Sequence, residues 1–139
     1  MAKTNNIPSV QRILDANLNR LKEGIRVIED TARYLQNDKD IASRLKDLRH
    51  KAILNHSISL LDSRNTITDV LKKTTLSETQ RNGIHQIVCA NFKRAQESAR
   101  VLEEYLKWED LKLFGESENF KHIRYELYSI EKEFVLKYF

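Results

Sequence analysis

ANLNRLKEGIRVIED, residues 16–30, returns as ANFKRAQESARVLEE at residues 90–104, an offset of 74 residues. The matched positions are largely polar: Asn17/Asn91, Arg20/Arg94, Glu23/Glu97, Arg26/Arg100 and Glu29/Glu103 recur with Ala16/Ala90 and Val27/Val101. A second echo follows, Leu45-Lys-Asp-Leu-Arg49-His50 against Phe120-Lys-His-Ile-Arg124-Tyr125. Packing alone would keep apolar positions and let polar ones drift. The pattern therefore predicts a duplicated helical hairpin carrying a polar site, built twice or built once across the two halves.

Around this repeat the apolar residues step by three and four, the period of an amphipathic helix. Leu14, Leu18, Leu21, Ile25, Ile28, Ala32 and Leu35 mark a first helix over about 9–36, with Ser9 as its cap. Asn37-Asp38 breaks it. Asp38 caps a second helix carrying Ile41, Leu45, Leu48, Ala52 and Ile53 to about Leu61. Residues 62–76 are dense in Asp, Ser, Asn and Thr, whose side chains compete for backbone hydrogen bonds, and read as a loop. Ser77 to Gln80 fits a capping box. The third helix then runs to about Trp108 on Ile84, Val88, Phe92, Ala95, Ala99, Leu102 and Leu106, with Gly83 an internal weak point. After a connector at 109–117, Ser117 caps a last helix bearing Phe120, Ile123, Leu127, Ile130 and Phe134. No strand pattern occurs. The expected fold is all-α: one helical domain over 1–139, a bundle of two antiparallel hairpins (about 9–61 and 77–138) related by pseudo-twofold symmetry.

Composition narrows the function. The chain has 139 residues, three glycines, one proline and 32% charged residues, the profile of a soluble helical protein. No apolar run approaches the roughly 18 residues that cross a membrane, and MAKTNNIPSV lacks the apolar core of a secretory signal. A cytoplasmic location follows. Cys89 is the single cysteine, which excludes an internal disulfide and a cysteine-based zinc site, and reads as a small buried apolar residue. The net charge of +4 suits an anionic ligand. Cations and acids are interleaved without a basic block, so no nucleic-acid tail is expected. Phosphate-loop, dinucleotide and His-Glu-x-x-His motifs are absent. His50, His56, His85 and His122 lack a metal-ligand cadence, and His50 reads as an aromatic packing residue.

At 100° per residue, Asn17, Arg20, Gly24, Val27 and Thr31 fall beside the apolar stripe of the first helix. Asn91, Arg94, Ser98 and Val101 repeat that face on the third. Seams of this kind are where helical bundles place ligands. Glu23, Arg26, Glu29, Asp30 and Arg33 read instead as surface ion pairs. The polar loop adds Arg64, Asn65 and Asp69, an arginine and a carboxylate suited to a phosphate and a magnesium ion.

Several motifs together carry a family resemblance: Ile13-Leu-Asp15-Ala-Asn17, Glu23-Gly-Ile-Arg26-Val-Ile-Glu29-Asp30, Leu48-Arg49-His50, Ser63-Arg64-Asn65-Thr66 with Asp69-Val70, Ala90-Asn91-Phe92-Lys93-Arg94-Ala95-Gln96-Glu97 and Arg100-Val-Leu-Glu103-Glu104-Tyr105. The chain resembles, over essentially its whole length, the helical hydroxymethylpyrimidine-phosphate kinase domain often fused to the N-terminus of bacterial thiamine-phosphate synthase. The resemblance implies that ATP phosphorylates 4-amino-5-hydroxymethyl-2-methylpyrimidine phosphate to the diphosphate. It also implies a synthase that consumes the product. From the charge and apolar patterns no membrane or nucleic-acid partner is expected, and a homo-oligomer is left open. The synthase reaction needs a phosphate-binding α/β barrel, for which this chain has no strands. One departure is Leu71, where the family pattern has glycine after Asp-Val.

Phosphoryl transfer asks mainly for positioned cations and a metal. Arg20 and Arg94 are the expected phosphate clamps, and Asn17 and Asn91 the residues orienting the pyrimidine or phosphate oxygens. Asp69, with Glu97 as second choice, would hold Mg2+, and Arg64 would close over the phosphates. A non-catalytic regulatory or oligomerising module that binds a phosphorylated pyrimidine is the alternative.

Overall fold

The computed structural model describes residues 7–75 and 79–139, and within them every regular element is helical. Among the described residues there are five α-helices, α1 (Ile7–Asp30), α2 (Lys39–Lys51), α3 (Ser57–Ser63), α4 (Ile84–Tyr105) and α5 (Ser117–Tyr138), the longest interval in sequence, 64–83, falling between α3 and α4. α1 and α4 lie antiparallel: Thr31 and Tyr34 adjoin Ile84 and Ile87 at one end, and Asn17 adjoins Ser98 and Val101 at the other. α2 packs on α1, α5 on α4, and α2 meets α5. The core between these layers is the apolar stripe of each helix. Leu14, Leu21, Ile25, Ile28, Phe92, Ala95, Ala99, Leu102, Phe120, Ile123, Leu127, Ile130 and Phe134 are all fully buried.

Several helix ends differ from expectation. α1 begins at Ile7, so Ser9 lies inside its first turn rather than capping it. Leu35 is exposed although it continues the α1 stripe. Over Thr31–Leu35 the backbone widens to a π-turn, with the Gln36 amide donating to the Thr31 carbonyl at 3.1 Å, and the wider turn rotates Leu35 off the core face. The second hairpin arm does not run to Leu61. It stops at Lys51, and His56 takes a left-handed φ of 59° before α3 starts. The amides at this break are satisfied from a distance: Asn55 donates from its backbone to the Phe114 carbonyl at 2.7 Å and from its side chain to Leu113, while Asn119 donates to the Lys51 carbonyl at 2.9 Å. Gly83 is not interior to α4. It precedes the helix with φ 128°, a conformation that favours glycine. The capping box from Ser77 falls partly outside the described residues. Residues 109–114 form a 3-10 turn, and Ser117 is the first residue of α5, after Glu116.

The polar echo has a structural meaning at two buried ion pairs. Arg49 Nε donates to Glu29 at 2.7 Å and ties α2 to α1. Arg124 Nη2 donates to Glu103 at 2.9 Å and ties α5 to α4. Glu29 and Glu103 match in the first echo, and Arg49 and Arg124 in the second. Glu29 is thus a buried tie rather than a surface charge, whereas Arg26–Asp30 is the expected exposed pair at 3.2 Å. Each hairpin holds its two helices by a Glu–Arg salt bridge at the matching place.

Asp38 closes the bundle from the other side. It caps α2 by accepting from the Ile41 amide at 3.0 Å, and it accepts from Lys137 at 2.9 Å and the Tyr138 hydroxyl at 2.6 Å. These donors hold its carboxyl down at about 2, the Ile41 amide contributing most.

Glu29→Ala and Glu103→Ala each leave a partly buried arginine without its acid, and each is expected to cost roughly 3 kcal/mol in denaturant melts. A surface pair such as Arg26–Asp30 should cost less than about 1 kcal/mol when broken. Asp38 is more acidic folded than unfolded, so its contribution is complete above the ordinary carboxylate pKa and disappears as pH falls from about 4 through about 2. Thermal melts across that window should show a loss that Asp38→Asn does not show, the variant being less stable at neutral pH from the start.

Candidate functional site

The site begins where the chain leaves α3. The loop from Arg64 turns back across the solvent face of the N-terminal half of α1. Arg64 donates from Nε and Nη2 to the two oxygens of Asp15 at 2.8 and 2.9 Å. Asp15 is buried and Arg64 exposed, so the guanidinium is held over α1 with one edge toward water. The Asp15 bonds raise the Arg64 pKa above its ordinary value. Arg12 Nη2 donates to the Asn65 carbonyl at 3.2 Å. The loop then winds on its own side chains: Asn65 Oδ1 accepts from the Ile67 and Thr68 amides, and Asp69 Oδ1 from the Leu71 amide at 3.0 Å. Leu71 strains nothing, since positive φ among the described non-glycine residues occurs only at Asn37 and His56. The result is a cleft of about 420 Å³ lined by Arg12, Asp15, Asn17, Arg20, Arg64 and Asp69, among others.

A second hollow, about 410 Å³, lies in the groove between α1 and α4. Arg94, Glu97, Ser98, Ala90 and Val101 line it from α4, Asn17 and Arg20 from α1. Asn17 and Arg20 therefore belong to both hollows. The helices approach closely because α1 carries glycine there. A Cβ on Gly24 would stand 3.1 Å from the Asn91 carbonyl oxygen and 3.4 Å from the Ala95 Cβ.

Six of the seven expected residues, Asn17, Arg20, Arg64, Asp69, Arg94 and Glu97, thus line two adjoining hollows. Asn91 lines neither. Its side chain donates to the Ile87 carbonyl at 2.8 Å and its backbone oxygen abuts Gly24. Asn17 likewise donates to Ile13 at 2.9 Å, but no donor among the described residues reaches its Oδ1. Arg20 and Arg94 were expected beside the apolar stripe as phosphate clamps. Both are exposed, and neither guanidinium forms an ion pair or hydrogen bond among the described residues. They are cations offered to water.

Sequence reading left Asp15 and Arg12 out of the site. Asp15 carried a signal: a carboxylate beside the buried Leu14 must find a cation, and the loop supplies Arg64. For a metal the donor set is thin. No group of three or more His, Cys, Asp or Glu residues converges among the described residues. Asp15 has both oxygens on Arg64, which leaves Asp69 as the free carboxylate of the loop cleft. That set fits a magnesium ion that arrives on phosphates and keeps several waters, and does not fit a metal held by protein alone. Cys89 is half-buried with its thiol pKa raised by burial, the opposite of an activated nucleophile. His50 is exposed. The ring contacts fall instead to His56 on Phe114 and His85 on Phe139.

Residues 12–133, which contain every residue of both hollows except Ser9, match the profile of the ThiD2 family. The chain belongs to the ThiD2 family. Its relatives include proteins named thiamine-phosphate synthase. That of Thermosynechococcus vestitus is 40% identical over 130 residues, 91% of this chain and 36% of its own length. That of a Synechococcus species is 41% identical over 127 residues, 89% of this chain and 35% of its own. That of Rhodopirellula baltica is 37% identical over 134 residues, 93% and 35%. This ThiD2 chain spans about a third of the length of these relatives. No solved structure matches it. No helix among the described residues is long and apolar enough to cross a membrane.

Because Arg20 and Arg94 are exposed and unpaired, neither is part of what holds the fold. Arg20→Ala and Arg94→Ala are expected to leave stability within about 0.5 kcal/mol of the parent. A denaturant melt showing a loss of roughly 3 kcal/mol would instead assign them to structural ion pairs.

Proposed function

We propose that this ThiD2 chain serves thiamine biosynthesis as an ATP-dependent kinase that phosphorylates hydroxymethylpyrimidine phosphate to the diphosphate. The observation that carries the reading is the pair of unpaired arginines, Arg20 and Arg94, on the walls of one groove between α1 and α4. The relatives named thiamine-phosphate synthase support the pathway. Phosphoryl transfer to an existing phosphate needs no protein base, since a phosphate monoester with a second pKa of about 6 is already largely ionised at neutral pH. It needs cations positioned about the transferring group. The two hollows supply Arg12, Arg20, Arg64 and Arg94 against Asp15, Asp69 and Glu97, and hold neither histidine nor cysteine.

In this reading Arg20 and Arg94 bind phosphate oxygens, and Asn17 presents its free Oδ1 to a donor on the pyrimidine. Arg64 is positioned by Asp15. Asp69 and the substrate phosphates would hold Mg2+, which supplies charge neutralisation when bound; Glu97 is the second carboxylate within reach of the groove. Asn91 acts through its backbone, by fixing α4 against Gly24. The diphosphate then passes to a thiamine-phosphate synthase, a separate partner for this chain or the remainder of a longer one. The described residues contain no strand from which a phosphate-binding barrel is built.

The purified chain, given ATP, Mg2+ and hydroxymethylpyrimidine phosphate, is expected to release ADP and the pyrimidine diphosphate, resolved by anion exchange. Thiamine phosphate should appear only when a synthase and its thiazole phosphate are added. Folded protein that yields no diphosphate above a no-enzyme control would sink the kinase reading. Tight binding of the pyrimidine phosphate without turnover would favour the non-catalytic module, which the sparse metal donor set would suit.

A further inference from the structure

The two hollows differ in chemistry as well as position. The loop cleft carries three cations, Arg12, Arg20 and Arg64, and one free carboxylate, Asp69. Such a set matches a polyphosphate carrying a divalent ion. The α1–α4 groove adds a single cation of its own, Arg94. Its other walls are acceptors and small apolar groups: Glu97, Ser98, Ala90, Val101 and the Oδ1 of Asn17. Acceptors suit an amino-substituted ring, and the apolar walls suit its methyl group.

We propose that these are two subsites of one transfer. The cleft under the 64–69 loop takes the phosphates of the magnesium nucleotide, and the α1–α4 groove takes the aminopyrimidine phosphate. Arg20, on the wall they share, stands beside the phosphoryl group in transit. The assignment rests on the kinase reading and adds to it which residues see which substrate. In the step itself an ionised oxygen of the pyrimidine's phosphate bonds to the γ-phosphorus. The bond from that phosphorus to the β–γ bridging oxygen breaks, and its electron pair stays on ADP. No proton has to move to the protein, and Arg20 binds the equatorial oxygens as charge redistributes.

The cations of the two subsites come from different elements, so they can be removed separately. Calorimetric titrations with Mg·ADP and, separately, with the pyrimidine phosphate read the partition without turnover. Losing one charge-assisted phosphate contact is expected to weaken binding on the order of tenfold or more. Arg64→Ala and Arg12→Ala should weaken Mg·ADP by that factor and leave the pyrimidine phosphate within about twofold. Arg94→Ala should do the reverse, and Arg20→Ala should weaken both. Arg64→Ala deprives the buried Asp15 of its partner; Arg12, whose one bond goes to a carbonyl, tests the same subsite without that liability. An Arg94 variant that loses the nucleotide, or an Arg12 variant that loses the pyrimidine, overturns the assignment. If the parent protein binds both ligands but transfers nothing, the kinase reading fails while the same four variants still judge the subsites. A parent that binds neither ligand at millimolar concentration removes both ideas.

Discussion

The close approach of α1 to α4 at Gly24 is the constraint on which the rest of the structure depends. With no side chain at that position the Asn91 carbonyl and the Ala95 methyl come within van der Waals reach of the α1 backbone. Glycine inside a helix costs roughly 1 kcal/mol relative to alanine. That cost is offset by what the approach permits: Leu21, Ile25 and Ala95 are fully excluded from water, and the polar residues one turn away stand on facing walls of a single groove. At the matching place on α4 stands Ser98, buried, its hydroxyl turned back onto the Arg94 carbonyl at 2.7 Å. The glycine of α1 therefore sets the separation, and Arg20 and Arg94 inherit their positions from it.

Around this seam the buried carboxylates act as fasteners rather than as chemistry. Glu29, Glu103, Asp38 and Asp15 are each nine-tenths or more removed from water, and each is answered by a cation from another element. An acid in such a place is tolerable only when its donors are present, so every one of these residues dictates a partner. Three of the pairs join helices. The fourth, Asp15–Arg64, joins a helix to a loop, and both of its residues line the loop cleft. The same rule that stabilises the hairpins also builds the site.

The stripes of α1, α4 and α5 were legible in the sequence because a period of three and four reports a helix face directly. The polar echo was legible for the same reason, and it located both the groove and, without revealing them, the two interhelical salt bridges. What stayed hidden depends on long-range contact. The break after Lys51 is written in Asn55 and His56, but only the carbonyls of Leu113 and Phe114 make it favourable, and nothing local announces them. The return of Arg64 to Asp15 spans 49 residues, and periodicity cannot tell which helix a loop will cross. Leu35 was misplaced because a π-turn shifts the helical register without any glycine or proline to mark it.

Exposure, finally, explains how two free arginines are compatible with a stable fold. Buried side by side they would repel strongly and each would demand an acid. At the mouth of a groove, in water, two like charges several ångströms apart interact by only about 1 kcal/mol or less. Of the acids nearby, Asp15 is committed to Arg64, and Glu97, which lines the same groove, forms no ion pair with either arginine among the described residues. The free protein therefore keeps a positive groove at small cost. A bound phosphate, by displacing water from that groove, would lower the local dielectric and strengthen the same arginines' attraction at the moment it matters. A seam built for packing alone has no need of two matched, exposed arginines that leave even the Glu97 of their own groove unpaired, and the proposed anion site rests on that observation.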